Sequence, residues 1–443
     1  MRGIKALYFN SRFFWLLAAC SAVFIASNWI AWLYPVAWVA SALLLAITVA
    51  DIVLLYGNKC KVTATRKTPQ KLSNGDDNPI IIHVESTYPF VVKSKVIDEL
   101  PTQFQKRDFQ HVLQLPTNQI KEFTYTLRPV ARGEYTFGHL IVFAASSLGI
   151  VQRKFVFQKD VMVPTYPSIL QMQQYDFLAI HNQLSGYGLK KIRKIGHTQE
   201  FEQIKDYVPG DDIRTINWKA TAKRTQLMVN QYQDEKSQPI YSIIDTGRVM
   251  KMPFNGLSLL DYAVNTALAF SNVSLKKNDK TGLITFSKTI EQFASAQQKP
   301  SYLGVLLELL YNVNTNFVDS DFGLLYAHIK RTITQRSLLM LHTNFEHISA
   351  LRRQLPFLQA IAKKHVLVVV FFENTELDSL IQDTAMDTQT MYHKTIAEKF
   401  SLEKRLMQKE LQRYGVQTIL TKPEELTINA INKYLEIKAR GLL

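Results

Sequence analysis

The sequence predicts a C-terminal α/β domain with a Rossmann-type parallel sheet, preceded by a β-sandwich and a two-helix transmembrane hairpin. Three observations indicate this fold class. Most of the first 56 residues are apolar or aromatic, short apolar runs recur from about residue 61 to 167, and apolar runs alternate with helical periodicity over 238–443. The expected domains are a hairpin at 1–57, a sandwich at 58–167, a motif-rich segment at 168–237 and the α/β domain at 238–443.

The composition narrows the class of protein before any motif is considered. The 443 residues include 52 basic and 37 acidic side chains, which gives a net charge of +15. Such an excess is typical of proteins that meet nucleic acid, an anionic membrane or an acidic partner, and the predicted hairpin favours the lipid surface. Cys20 and Cys60 lie in and just after apolar runs, so we expect no disulfide framework and a reducing compartment.

The N-terminal apolar region predicts two membrane-spanning helices. The first runs without charge from Phe13 to about Trp32, and a bilayer crossing takes roughly 20 apolar residues. The second runs from about Pro35 to Tyr56, with Asp51 as its only charge. A cleavable signal peptide fits less well, because the apolar region is double and lacks a small-residue cleavage site. A long buried hairpin of a soluble protein remains the other alternative.

Charges on either side of the hairpin predict its orientation. Basic residues flank both ends, and the connecting turn has no lysine or arginine. The positive-inside rule therefore places both ends, and the soluble domains, on the cytoplasmic side of the inner membrane in a multi-pass arrangement. Asp51 lies near the headgroups, where we expect it to snorkel or to pair with Lys59; a functional role for this intramembrane charge is the alternative.

The segment that follows the hairpin predicts an antiparallel β-sandwich. Phe123, Tyr125 and Leu127 alternate with polar residues, as in a half-buried strand. Similar short runs are separated by turn residues such as those at 74–77 and 132–134. The pattern indicates a sandwich of about a hundred residues with a structural or binding role.

A glycine-rich basic stretch opens the motif-rich segment. Three glycines at 186–196 are interleaved with Lys190, Lys191, Arg193 and Lys194. The stretch lacks the spacing of a P-loop, and no apolar strand directly precedes it. A mobile loop with solvated cations is therefore favoured over a nucleotide site.

A turn with two adjacent acids comes next. Pro209-Gly210 is a turn signal, and Asp211 or Asp212 then lies where a helix N-cap is needed. Two adjacent carboxylates are also able to bind a divalent cation. Because no third carboxylate is near, we favour capping together with an ion pair to Arg214 or Lys219.

These motifs resemble the signature of a bacterial family, domain of unknown function 58. The matching runs are Glu200-Phe201, 207–214 and 216–223, against the pattern Tyr-x-Pro-Gly-Asp-Asp-x-Arg-x-Ile-(Asp/Asn)-Trp-x-Ala-(Ser/Thr)-Ala-(Arg/Lys). The order of a membrane hairpin, a β-rich segment, the signature and a von Willebrand factor A-like domain also agrees, so the resemblance covers essentially the whole chain. The candidate binding residues of this signature are Glu200, Phe201, Tyr207, Pro209, Gly210, Asp211, Asp212, Arg214, Asn217, Trp218 and Lys219.

The C-terminal segment predicts strands that alternate with helices, hence a mostly parallel sheet covered on both faces. Such a sheet agrees with the von Willebrand factor A-like fold that the resemblance implies. The predicted strands are 240–245, 281–286, 337–342, 366–372 and 416–420, and the predicted helices include 257–276, 302–311, 324–331, 348–364 and 424–435.

Folds of this kind bind ligands at the carboxyl ends of their strands. Related domains hold a divalent ion there through an Asp-x-Ser-x-Ser loop, a distant Thr and an Asp. This chain keeps Asp245 but has Gly247 and Val249 at the serine positions, with Arg248 between them. We therefore predict a degenerate, metal-free site, with bound Mg²⁺ as the alternative. Its expected members are Asp245, Ser320 or Asp321 near the Thr position, and Asn344 at the later acidic position.

The function predicted from the sequence is non-catalytic, because no Ser/His/Asp or Cys/His grouping stands out. The first hypothesis is a membrane-tethered scaffold or adaptor that binds a protein partner. Proteins similar to this one are commonly linked with MoxR-type AAA+ ATPases, so the resemblance implies a role in assembly or maturation of other proteins. The second is a divalent-metal-dependent enzyme using Asp211, Asp212 and Asp245, and the third is nucleic-acid binding through the cations of 190–194.

Overall fold

A computed structural model describes residues 6–56, 61–117, 119–180, 200–209, 211, 213–224, 226–233, 237–374, 381 and 387–442. The chain divides into two compact units, unit 1 (Met1–Tyr166) and unit 2 (Pro167–Leu443). The predicted glycine-rich basic stretch at 186–196 lies outside the described residues, as do Gly210, Asp212 and Lys59.

Unit 1 begins with two apolar helices, α1 (Ser11–Ala26) and α2 (Leu33–Tyr56). Among the described residues, α2 is the one helix long and apolar enough to cross a membrane, and α1 has 16 residues. The first predicted span, to about Trp32, therefore ends earlier than expected. Ser27 is the C-terminal cap of α1: the Ser27 N–H donates to Val23 O at 3.0 Å and the Ser27 hydroxyl donates to Phe24 O at 2.7 Å.

The expectation that Asp51 snorkels to the headgroups was wrong, and its expected pairing with Lys59 lies outside the described residues. The Asp51 side chain is completely buried and contacts the loop 146–151 of the same unit. The carboxylate accepts hydrogen bonds from the Ser146 hydroxyl, from Ile150 N at 3.0 Å and from Val151 N at 2.9 Å. Asp51, which the sequence places in a membrane span, is therefore hydrogen-bonded to the β-rich part of unit 1.

The β-rich part of unit 1 is built from mainly antiparallel strands. Their orders are β1-β10-β9-β5-β6, β2-β4-β7 and β3-β11-β8, with β3 parallel to β11. Strand β2 alternates strictly between buried and exposed residues, which places one of its faces in the core. The strands are β1 (Leu7–Phe9), β2 (Val62–Lys67), β3 (Leu72–Ser73), β4 (Asn78–Ser86), β5 (Val92–Asp98), β6 (Gln110–Leu115), β7 (Ile120–Leu127), β8 (Gly133–Phe137), β9 (Leu140–Ala145), β10 (Val151–Phe157) and β11 (Val161–Tyr166).

Unit 2 alternates strands and helices. Its first elements are α3 (Ile169–Ile180), β12 (Glu200–Asp206), α4 (Trp218–Arg224), β13 (Met228–Gln233), β14 (Pro239–Asp245), β15 (Pro253–Phe254), β16 (Leu257–Ser258) and α5 (Leu259–Lys276). The remaining described elements are β17 (Lys280–Phe286), β18 (Ile290–Gln297), α6 (Tyr302–Tyr311), α7 (Phe322–Thr332), β19 (Leu338–His342), α8 (Ile348–Ala362), β20 (Val366–Phe372), α9 (Thr388–Arg413), β21 (Gln417–Thr421) and α10 (Leu426–Ala439).

The main sheet of unit 2 has the order β18-β17-β14-β19-β20-β21. Every pairing in it is parallel except that of the edge strand β18 with β17. Apolar residues of α5, α6 and α10 pack in one buried cluster, and those of α7, α8 and α9 in another. All seven residues of β14 and of β20 are buried, as expected for parallel strands with both faces covered.

Helix α5 shows how local sequence sets an element boundary. Ser258 precedes the helix and accepts a hydrogen bond from Asp261 N, while the Asp261 carboxylate accepts from Ser258 N at 3.1 Å. This reciprocal capping box satisfies backbone donors that the first turn leaves free. The helix therefore begins at Leu259, two residues after the predicted start.

Candidate functional site

The carboxyl edge of the main sheet carries a buried carboxyl group. Asp245 ends β14 and is 1% exposed. One of its oxygens accepts from Gly247 N at 2.8 Å and from the Ser320 hydroxyl, and the other accepts from Thr343 Oγ1 at 2.6 Å. Burial raises the pKa of Asp245, and these donors oppose the rise. The site is a compact hydrogen-bonded network.

The structure brings together some of the predicted residues of this site and separates others. Ser320 contacts Asp245, but the Asp321 carboxylate caps α7 through Gly323 N at 2.8 Å and Leu324 N at 3.0 Å. The amide oxygen of Asn344 accepts from Lys404 Nζ at 2.6 Å. Sequence reasoning missed Thr343, the residue directly before Asn344.

These residues fit a hydrogen-bonded network better than a divalent cation. Hard cations take six or more oxygen ligands, whereas hydroxyl and amide donors engage both oxygens of Asp245, and an ammonium engages Asn344. Within the described residues, no group of three or more His, Cys, Asp or Glu side chains is placed to hold a metal. Arg248, the residue between the two lost serine positions, forms an ion pair with Asp319, with 3.6 Å between Arg248 Nη2 and Asp319 Oδ1.

Gly247 shows why the lost serine does not fit. A Cβ added there would overlap the Ser320 hydroxyl and lie 3.0 Å from Val318 O. The space of a second side chain is thus filled by Ser320, which reaches Asp245 from a distant part of the chain.

We expect Gly247→Ser to destabilise unit 2 by about 1–3 kcal/mol, because the added atoms overpack this site. Thermal unfolding of the full chain in detergent measures the loss. Gly304→Ser is the matched control, since nothing lies within 4 Å of a Cβ at Gly304. Equal stability of the two variants would show that the site has room for the serine.

The motif-rich segment folds around an antiparallel hairpin. Strands β12 and β13 are antiparallel partners. Glu200 is opposite Gln233 at one end, and Asp206 is opposite Met228 at the other, with α4 in the connection. Asn217 links the parts: its Oδ1 accepts from Ala220 N at 3.0 Å, and its Nδ2 donates to Asn230 Oδ1 at 2.8 Å. An Asn side chain at this position caps the first turn of α4.

Asp211 does not have the predicted capping role, and the same prediction for Asp212 lies outside the described residues. The Asp211 carboxylate accepts from Val208 N and from Lys205 Nζ, both at 3.0 Å, and not from Arg214 or Lys219. The Val208 backbone N–H and the Lys205 ammonium hold the pKa of Asp211 below its ordinary value. Asp211 therefore closes the turn after β12, while Asn217 caps the helix.

The remaining signature residues are distributed along this segment. Glu200 and Phe201 lie in β12, Tyr207 N bonds to Leu227 O at 2.8 Å, and Pro209 lies in the turn. Arg214 and Lys219 are exposed.

Large apolar side chains of the same segment face solvent. We call the set Val208, Ile213, Trp218 and Leu227 the signature surface; their exposed fractions are 57%, 70%, 70% and 45%. The neighbouring cations Arg214, Lys219, Lys223 and Arg224 are exposed as well. Exposed apolar patches mark sites of protein interaction, so these side chains are candidates for such a site. The signature pointed to this segment in the sequence. Hydrophobic periodicity did not show which residues of the segment face outward.

Part of the chain matches a known protein family. Residues 203–391 match the model of a family described as "Protein of unknown function DUF58". This range is less than half of the chain, and it confirms the resemblance seen in the signature. The "Uncharacterized protein YeaD" of Bacillus subtilis (strain 168) is 24% identical over 202 residues, which are 44% of this chain and 50% of that protein. The match thus spans half the length of that relative.

Two solved structures show distant similarity. The conserved hypothetical protein BatB from Bacteroides thetaiotaomicron is 14% identical, with a TM-score of 0.30, and the match covers 46% of this chain and 100% of that one. The CARDB domain of the PF1109 protein from Pyrococcus furiosus is 15% identical, with a TM-score of 0.19, over 24% and 88%. What the comparisons establish is that residues 203–391 match a family whose function is unknown.

Proposed function

We propose that this protein is a membrane-tethered scaffold or adaptor whose signature surface binds a protein partner. The observation that carries the proposal is the exposure of Trp218, the first residue of α4, whose side chain is 70% exposed. Tryptophan is enriched among the residues that dominate binding energy at interfaces. The polar signature residues Asp211 and Asn217 serve the local fold, so they support a rigid platform for the exposed apolar side chains.

The membrane tether rests on the N-terminal helices. Helix α2 is long and apolar enough to cross a bilayer, and the basic residues on both sides of the hairpin favour a cytoplasmic location for the rest of the chain. The α/β part of unit 2, proposed to be von Willebrand factor A-like, would present the partner site at the inner membrane. The proposed partner class, a MoxR-type AAA+ ATPase, comes from the family resemblance and not from these residues.

The enzymatic alternative has weaker support. Asp211 is engaged by Lys205 and a backbone N–H, whereas Asp245 is buried with hydroxyl partners, so the described carboxylates do not combine into one acid/base or metal site. The nucleic-acid alternative depends on the stretch 190–194, which lies outside the described residues.

The test is photocrosslinking in membranes with a photoreactive amino acid at Ile213, followed by identification of the captured proteins. We expect an AAA+ ATPase among them, and we expect Trp218→Ala to lower its capture roughly tenfold or more, as for a central interface tryptophan. Phe317→Ala is the matched control, because Phe317 is also 70% exposed but lies outside the signature surface. Capture that is unchanged by Trp218→Ala, or lowered equally by Phe317→Ala, contradicts the proposal.

A further inference from the structure

A cavity of about 430 Å³ opens at the carboxyl edge of the main sheet in unit 2. Its walls come from Phe254 after β14, Asn344 after β19, Phe372 at the end of β20, and Phe400 and Lys404 on α9. The cavity is separate from the signature surface, whose residues do not line it. Its volume falls within the range typical of small-ligand sites, about 300–1,000 Å³.

Lys404 places a positive charge in this cavity. Its ammonium donates to Asn344 Oδ1 and to Phe345 O, both at 2.6 Å. These bonds fix the side chain and, among the described residues, leave one of its three N–H donors for a ligand. Burial lowers the pKa of Lys404 to about 8, an effect that Glu346 opposes, so the group remains mostly charged at neutral pH.

The rest of the lining defines the ligand further. Arg405 adds a second cation, and the aromatic rings of Phe254, Phe372 and Phe400 provide an apolar wall. Glu346 and Glu373 also line the cavity, and their negative charge disfavours multiply charged anions such as phosphate. A single negative charge joined to an apolar group matches both features.

We propose that this cavity binds a carboxylate attached to an apolar side chain, with the carboxylate at Lys404 and Arg405 and the apolar group against the phenylalanine rings. Such chemistry has two sources, a free organic acid and the C-terminal residue of a polypeptide. The proposal is independent of the proposed function, because it involves none of the residues of the signature surface.

Calorimetry on the full chain in detergent micelles, with empty micelles as the blank, tests the proposal. The probes are N-acetyl-phenylalanine, its neutral amide, and a short acetylated peptide ending in phenylalanine, each at millimolar concentration. We expect a free-acid probe to bind and the amide to bind about tenfold more weakly or not at all, because a charge-assisted hydrogen bond is lost. Binding of the peptide alone identifies a chain terminus as the source, and binding of both acids shows that a free acid suffices.

Three variants locate the bound carboxylate. Lys404→Met should weaken binding of the acid about tenfold. Arg405 is exposed and makes no hydrogen bond among the described residues, so Arg405→Gln should leave the fold intact. This variant should weaken binding of the acid several-fold, and it keeps the test valid if Lys404→Met misfolds. Lys409→Met is the matched control on the exposed side of α9 and should leave binding unchanged. Equal affinity for acid and amide, no binding of either acid probe, or equal losses in Arg405→Gln and Lys409→Met would overturn the proposal.

Discussion

Replacing Arg66 by methionine is expected to destabilise unit 1 by about 3–5 kcal/mol, since it leaves a buried carboxylate without its counter-charge. Arg66 forms an ion pair with Asp98, and the two side chains are 1% and 0% exposed. Arg66 Nη1 donates to the Asp98 carboxylate, and Arg66 Nη2 donates to Gly138 O at 3.2 Å. The Arg66 guanidinium lies 4.7 Å from the centre of the Phe137 ring. The loss is measured by chemical unfolding of the full chain in detergent.

An exposed arginine of the same unit provides the control. Arg128 donates to Gly75 O at 2.9 Å on the surface, so we expect Arg128→Met to change stability by no more than about 1 kcal/mol. If Arg66→Met and Arg128→Met unfold at the same denaturant concentration, the buried pair contributes little and Asp98 is neutralised by protonation or reached by water.

The second large effect is expected for Asp51→Ala. The substitution removes the acceptor of two buried backbone N–H groups, Ile150 and Val151, and of the Ser146 hydroxyl. Each buried donor left without a partner costs about 1–3 kcal/mol, so we expect unit 1 to lose about 2–5 kcal/mol. Limited proteolysis in lipid nanodiscs should show earlier cleavage around 146–151, in parallel with a lower unfolding temperature.

Asp51→Asn separates the hydrogen bonds from the charge. The amide keeps one acceptor oxygen, so its stability should lie between those of the original protein and Asp51→Ala. A result in which both substitutions are neutral would mean that Asp51 does not hold the loop, contrary to the geometry described above.

Regular elements with strong local signals were predictable from the sequence. The strand at Val366–Phe372 and the helix at Tyr302–Tyr311 have the predicted bounds. The strand is a continuous apolar run, because both of its faces are covered. Small errors at other helices come from capping, as at Ser258, where hydrogen bonds and not hydrophobicity set the first residue.

Contacts between distant residues were not predictable. Lys404 and Asn344 are 60 positions apart, and Asp245 and Ser320 are 75 apart. Hydrophobic periodicity shows which face of an element is buried, but it carries no information on which polar groups then meet. The strands β12 and β13 were missed for a related reason, since their pairing is set by the partner strand and not by a clear alternation within either one.

The loop 146–151 is held at two points by the N-terminal helices. Asn10, just before α1, donates through its N–H to Ile150 O at 2.9 Å and through its amide to Gly149 O at 3.0 Å, while Asp51 in α2 accepts from Ile150 and Val151. A domain attached to a membrane helix at a single flexible point rotates freely, whereas one attached at two points does not. In the proposed membrane-bound state, these two attachments restrict rotation of the β-rich part about the helices, so that part keeps a constant side toward the lipid.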